Sequence, residues 1–278
     1  MSTALVLGGG GVAGIAWELG VLDALANAGV DLRAADRIIG TSAGAAVGAQ
    51  LRTDESLESL CARQLVPASQ SAELQVESSL DALIEQFAAC FDGAPDEIEV
   101  RRRLGGVALA APTVEESARL AVIESRLSSH EWSDRELLVT AVDAFTGEFK
   151  VFDRNSGVAL VSAVAASCAV PGIWPPVTIG DSRFIDGGVR SGTNADLAEG
   201  CDIVVVVAPF AGGFGPTVEV EAAALREQGA IVEVIAADGG STEAFGTNVL
   251  DPATRGPSLR EGRRQGTIEV ERIAKVWL

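Results

Sequence analysis

Tyrosine is absent from this 278-residue chain, and histidine occurs once, at position 130. A lone histidine leaves little room for the Ser–His or Cys–His pairings on which most hydrolytic nucleophiles depend. Cysteine is scarce as well: Cys61, Cys90, Cys168 and Cys201 lie far apart, with no CxxC pair. That spacing speaks against a zinc or thiol-redox site and implies four reduced, mostly buried thiols in a cytoplasmic protein. No metal-ligand cluster is visible, so neither a metal nor a cofactor is expected. Basic residues are few, 21 against 39 acidic ones, for a net charge of −18. Nucleic acid is thereby excluded as a partner, and so is adsorption to anionic membranes through a basic face. The strongest basic run, Arg101-Arg102-Arg103, reads as a solvated helix face or turn. No basic n-region opens the chain and no apolar run reaches membrane-spanning length, so neither a signal peptide nor a transmembrane helix is expected.

What the chain has instead is apolar content, 47% of residues, mostly small and aliphatic, and 31 glycines. Short apolar runs at Ala4–Leu7, Arg37–Ile39, Glu136–Ala141, Glu148–Phe152, Arg183–Ile185, Ile203–Ala208 and Ile231–Ala236 read as strands. The run of valines from Ile203 has the character of a strand covered on both faces. Helical periodicity fills the intervals: Gly14 to Gly29, Ala43–Leu51, Leu160–Cys168, Glu219–Gln228 and Pro257–Trp277. Residues 54–129 read as a helical insertion, with helices at Leu80–Phe91 and Val114–Leu127 and breaks at Ala94-Pro95 and Gly105-Gly106. The alternation predicts an α/β class fold, a three-layer α/β/α sandwich with a mostly parallel central sheet. No repeat or linker divides residues 1–278, which read as a single domain.

Three segments carry chemistry. Gly40-Thr41-Ser42-Ala43-Gly44 is a GxSxG pentapeptide between a strand and a helix, the setting of a nucleophile elbow with Ser42 as nucleophile. Gly40 and Gly44 let neighbouring segments pass close, and the helix N-terminus aims its dipole at a developing oxyanion. Gly9-Gly10-Gly11-Val12-Ala13-Gly14 fits GxGxxG. A dinucleotide turn would need an acidic residue ending the next strand, where Gly40 stands instead. A plain βα turn and an oxyanion hole built from amides of Gly9, Gly10, Gly11 and Val12 remain. The nucleophile also needs a base. His130 lies mid-chain in a polar loop and reads as a solvent-exposed histidine. Asp186, after a strand and before Gly187-Gly188, is the carboxylate candidate or else a simple turn residue.

These motifs, in this order, resemble the patatin-like phospholipase family: Gly8 to Gly11 with Gly14, then Gly-Thr-Ser-Ala-Gly, then Asp186-Gly187-Gly188. The stretch from Ala165 to Pro176 is similar to the family's alanine–serine–proline segment, and Asn248 to Arg255 to its bacterial members. The resemblance implies a Ser42–Asp186 dyad without histidine, an acyl-enzyme route and a lipid or ester substrate, with at most transient membrane-surface contact. Many members carry Arg or Lys where Ala13 stands, and His where Trp17 stands. Those departures keep open a catalytically impaired binding or scaffold protein. A Ser–His acyl transferase is disfavoured by the single histidine. Oligomeric state has no sequence signature here.

Overall fold

The computed structural model describes residues 1–74 and 80–278. In chain order the elements are β1 (Thr3–Leu7), α1 (Gly11–Asn27), β2 (Arg37–Gly40), α2 (Ala43–Leu51), α3 (Leu57–Gln64), α4 (Leu80–Phe91), α5 (Glu97–Ala110) and α6 (Glu116–Arg126). There follow β3 (Glu136–Asp143), β4 (Phe149–Phe152), α7 (Leu160–Ser167), β5 (Val177–Ile179), β6 (Ser182–Asp186), β7 (Ile203–Ala208), α8 (Val218–Glu227), β8 (Ile231–Ala236), α9 (Gly239–Phe245) and α10 (Arg255–Trp277).

The strands form one sheet in the order β5-β6-β3-β2-β1-β7-β8, with β4 paired to β3. Alternate residues of the central strands serve opposite layers, as the two-residue period of a strand requires. Leu5, Leu7, Ile38, Val205 and Val207 join the core beneath α1, α2 and α7. Ala4, Val6, Ile39, Val204 and Val206 join the core beneath α8. Helices therefore cover both faces, and β7 is buried along its whole length. This is the α/β/α sandwich expected from the sequence.

The sheet departs from a simple parallel one at the strand that matters most. β1, β2, β3, β7 and β8 run parallel, whereas β4, β5 and β6 run antiparallel to their partners. Val139 pairs with both Gly40 of β2 and Phe152 of β4. Ala141 pairs with both Lys150 of β4 and Asp186 of β6. A strand residue has one partner per edge, so β2 and β6 share the edge of β3 opposite β4. They approach end to end, and the C-terminal end of each points at the other. The residues following Gly40 and the end of β6 at Asp186 thus converge, although β6 runs against the parallel block.

The helical insertion is α3 to α6 among the described residues. Its glycine pair does not break a helix: α5 runs through both Gly105 and Gly106. A Cβ on Gly105 would lie 2.0 Å from the Ala144 carbonyl oxygen, so the residue is glycine because the helix packs there directly on backbone. Two elements had no clear sequence signal, the three-residue β5 and the seven-residue α9.

Candidate active site

Ser42 sits between β2 and α2 with φ 54° and ψ −112°, a backbone conformation that a side chain makes costly. Four hydrogen bonds hold it there. The Thr41 amide donates to the Leu7 carbonyl at 3.0 Å and the Gly44 amide to the Gly8 carbonyl at 2.9 Å. The Ser42 amide donates to the Ser167 hydroxyl at 2.9 Å, and the Cys168 thiol donates to the Ser42 carbonyl at 3.1 Å. Gly44 is needed for the first clamp, since a Cβ there would meet the Leu7 carbonyl oxygen at 2.1 Å. The tight turn leaves Ser42 8% exposed, at the wall of a cavity.

The glycine loop lies against it. α1 begins at Gly11, earlier than the sequence pattern places it, and Gly11 takes φ +62°, which favours glycine. The amides of Gly10, Gly11 and Val12 find no hydrogen-bond partner among the described residues, as expected for the first residues of a helix. The Gly9 amide differs from expectation. It donates to the Gly192 carbonyl at 2.9 Å and is committed to the fold, so Gly9 contributes the close approach of its backbone to Ser42 and no free donor. Gly14 and Ala13 are buried deeper, and the Ala13 amide donates to the Val249 carbonyl at 3.0 Å.

Asp186 ends β6 and is 4% exposed. One carboxylate oxygen, Oδ1, accepts from the Gly188 amide at 2.7 Å, while Oδ2 has no hydrogen-bond partner among the described residues. Burial pushes the carboxyl up to about 6, and the nearby Ser42 hydroxyl, the Gly188 amide and the charge of Arg119 pull in the other direction. Gly187 lets the turn lie on Thr140, whose hydroxyl is 3.0 Å from that of Thr41. Asn194, buried and left-handed at φ 50°, donates its side-chain amide to Thr41 Oγ1 at 3.0 Å and to the Ser191 carbonyl at 2.9 Å. It ties the serine elbow to the chain that follows the Asp-Gly-Gly turn.

Ser42, Asp186, Gly188 and the loop Gly9–Val12 line one cavity of about 800 Å³. Its apolar walls are Ile15, Val170, Ile173, Trp174, Phe210, Phe214 and Leu250, with Phe87 packed edge-on against Phe214. The insertion, expected to supply a lid or wall, contributes Phe87 together with two arginines, Arg119 and Arg126, of α6. Arg126 is neutralised by Glu73, its Nε and Nη2 donating to the carboxylate at 2.8 and 2.6 Å. Arg119 has no paired carboxylate among the described residues. His130 is exposed, 3.6 Å from Glu124, and is not among the cavity residues. All four cysteines are buried.

Sequence reasoning named Ser42 and Asp186 as candidates, and both line one cavity of the structure. It missed Ser167, Cys168, Asn194 and Arg119. Ser167 and Cys168 stand in the segment quoted for its family resemblance, but their hydrogen bonds to the elbow leave no local pattern. Arg119 repeats with Val122, Ile123 and Arg126 on one face of α6, a spacing that ordinary packing also produces.

The described residues hold no helix long and apolar enough to cross a membrane. In sequence, the family model described as patatin-like phospholipase matches residues 5–199. No curated protein matches the chain. Among solved structures, the type III effector protein ExoU is similar at 15% identity with a TM-score of 0.46, covering 98% of this chain and 53% of that one. VipD from Legionella pneumophila is similar at 12% identity with a TM-score of 0.44, covering 98% and 66%. The chain thus spans about half the length of the first of these and under two thirds of the second.

Proposed function

We propose that this chain, which belongs to the patatin-like phospholipase family, hydrolyses fatty acyl esters with Ser42 as nucleophile and Asp186 as base. In this reading Asp186 Oδ2 takes the Ser42 proton as Oγ attacks the ester carbonyl. The oxyanion collects amide hydrogens from Gly10, Gly11 and Val12 at the positive end of α1. Asp186 then passes the proton to the departing alkoxide, leaving the acyl group on Ser42. A water molecule, deprotonated by Asp186, attacks the acyl-enzyme; the acyl C–Oγ bond then breaks to release the fatty acid, and Asp186 returns the proton to Ser42 Oγ.

The observation that carries the reading is the unpartnered Asp186 Oδ2 in the cavity lined by Ser42. A buried carboxylate oxygen without a donor is costly in a merely structural aspartate. It is what a base needs before its substrate arrives, and a carboxyl with a pKa near 6 is mostly ionised at neutral pH yet still basic enough to accept a proton. The large apolar wall suits an acyl chain.

The test is hydrolysis of p-nitrophenyl esters from acetyl to palmitoyl by the full chain, Ser42→Ala and Asp186→Asn. The expected result is turnover that favours longer acyl groups and falls by about a thousandfold or more in either variant. Turnover by the unaltered chain that survives in both variants overturns the dyad.

A further inference from the structure

Besides Asp186, the described residues leave a second charged group of the cavity without a partner, the guanidinium of Arg119. The residue is 3% exposed, and neither Nε nor Nη1 has a hydrogen-bond acceptor among the described residues. Among the described residues no carboxylate lies within salt-bridge distance of it, whereas its neighbour Arg126 is paired with Glu73. One face of the guanidinium lies on the Trp174 ring, 3.9 Å from its centre. The plate is therefore held in a fixed orientation against the cavity that Ser42 and Asp186 also line. Burying a cation without a counter-ion is expensive, and one kept at a cavity wall calls for a partner that the fold does not supply. Burial and the charge of Arg126 push Arg119 down to about 9, so it is still cationic at neutral pH.

We propose that Arg119 is the anion-binding residue of this cavity and takes the phosphate of a glycerolipid ester whose acyl group lies on Ser42. The acyl part of the proposal rests on the hydrolase reading above; the anion site does not. A phosphate fits turnover better than a carboxylate. The carboxylate of a released fatty acid appears only in the product, so an arginine that bound it would hold product more tightly than substrate. A phosphate on the glycerol is present in both the substrate and the departing alcohol, so the arginine binds the ester and its alcohol product alike. The charged groups lining the cavity are Arg119, Arg126 and Asp186. Asp186 would repel an anion placed directly on it, so the phosphate takes an edge of the guanidinium away from Asp186, the Trp174 ring covering one face.

The test uses two soluble esters with the same acyl groups, dihexanoyl phosphatidic acid and dihexanoyl glycerol, and Arg119→Met and Arg119→Lys in the full chain. The kcat/KM ratio of the phosphate ester to the neutral one should fall about tenfold or more in Arg119→Met and recover in part in Arg119→Lys. Equal losses on both esters, or a shift of the acid limb of the pH profile alone, would make Arg119 a distant counter-ion of Asp186 and overturn the proposal. Calorimetry in the Ser42→Ala background measures binding without turnover. Dihexanoyl phosphatidic acid should bind, and Arg119→Met should weaken it about tenfold or more. Inorganic phosphate or hexanoate bound as tightly overturns the headgroup assignment. If neither ester is hydrolysed by the unaltered chain while the binding loss is observed, the hydrolase reading fails and the anion site stands. Arg119→Met should melt at or above the temperature of the unaltered chain, because it removes an uncompensated buried charge. A clear drop in melting temperature marks a structural arginine instead.

Discussion

The Ser42 amide donates to the Ser167 hydroxyl at 2.9 Å, across a separation of 125 residues. The last turn of α7, in the same helical layer as α2, therefore fixes the backbone of a residue held at positive φ. Ser167→Ala leaves that amide buried without an acceptor, at a cost of about 1–3 kcal/mol. It should lower the melting temperature by several degrees and reduce kcat by about tenfold or more, since the elbow then settles away from its strained angle. Thermal unfolding and steady-state kinetics together check this. An unchanged kcat would show that the elbow needs no support from α7.

The acid limb of activity should belong to Asp186. Its carboxyl is pushed up to about 6 by burial, and it acts as a base only when ionised. Below pH 6 kcat/KM should fall about tenfold per pH unit, and above it level off. A rate constant that does not vary between pH 4.5 and 8 would remove Asp186 from the role of base.

The same raised pKa makes Asp186 a source of instability. Between its unfolded value, 3.8, and about 6 the folded chain binds more protons than the unfolded one, so stability falls as pH rises through this window. Asp186→Asn should therefore stabilise the protein at pH 8 by up to about 3 kcal/mol, two units at 1.36 each, while abolishing activity. At pH 3.5 the stabilisation should vanish. Denaturant melts at the two pH values read this directly, and a destabilised variant at pH 8 would contradict the burial argument.

Two adjacent glycines of α5 should respond in opposite ways. Nothing lies within 4 Å of a Cβ built on Gly106, which is exposed in mid-helix, so Gly106→Ala should stabilise the chain by about 1 kcal/mol. A Cβ on Gly105 would strike the Ala144 carbonyl, and Gly105→Ala should cost several times as much, about 3 kcal/mol or more. Chemical denaturation of both variants checks the pair.

The glycine pair also shows where the sequence was legible and where it was not. A glycine that breaks a helix and one that lets a helix lie on a neighbouring strand look alike until the partner is known. β1, β2, α2, β7 and β8 could be read because each carries its own periodicity, with bounds that differ from the sequence reading by a residue or less. β5 is too short to carry one. The position of Asp186 at a strand end was legible, but its convergence with Ser42 depends on β2 and β6, about 145 residues apart, sharing one edge of β3. The Gly9 amide was misjudged for the same reason, because its acceptor, Gly192, is distant in sequence. Arg119 left no trace, since an arginine on a helix face is ordinary until its missing counter-ion is seen.

The central claim is that Ser42 is a nucleophile activated by Asp186. Labelling with a fluorophosphonate, read by intact mass, tests it most directly. The unaltered chain should gain one adduct, Ser42→Ala none, and Asp186→Asn should label at least about a hundredfold more slowly. An adduct that persists in folded Ser42→Ala would contradict the assignment and place the nucleophile elsewhere in the chain.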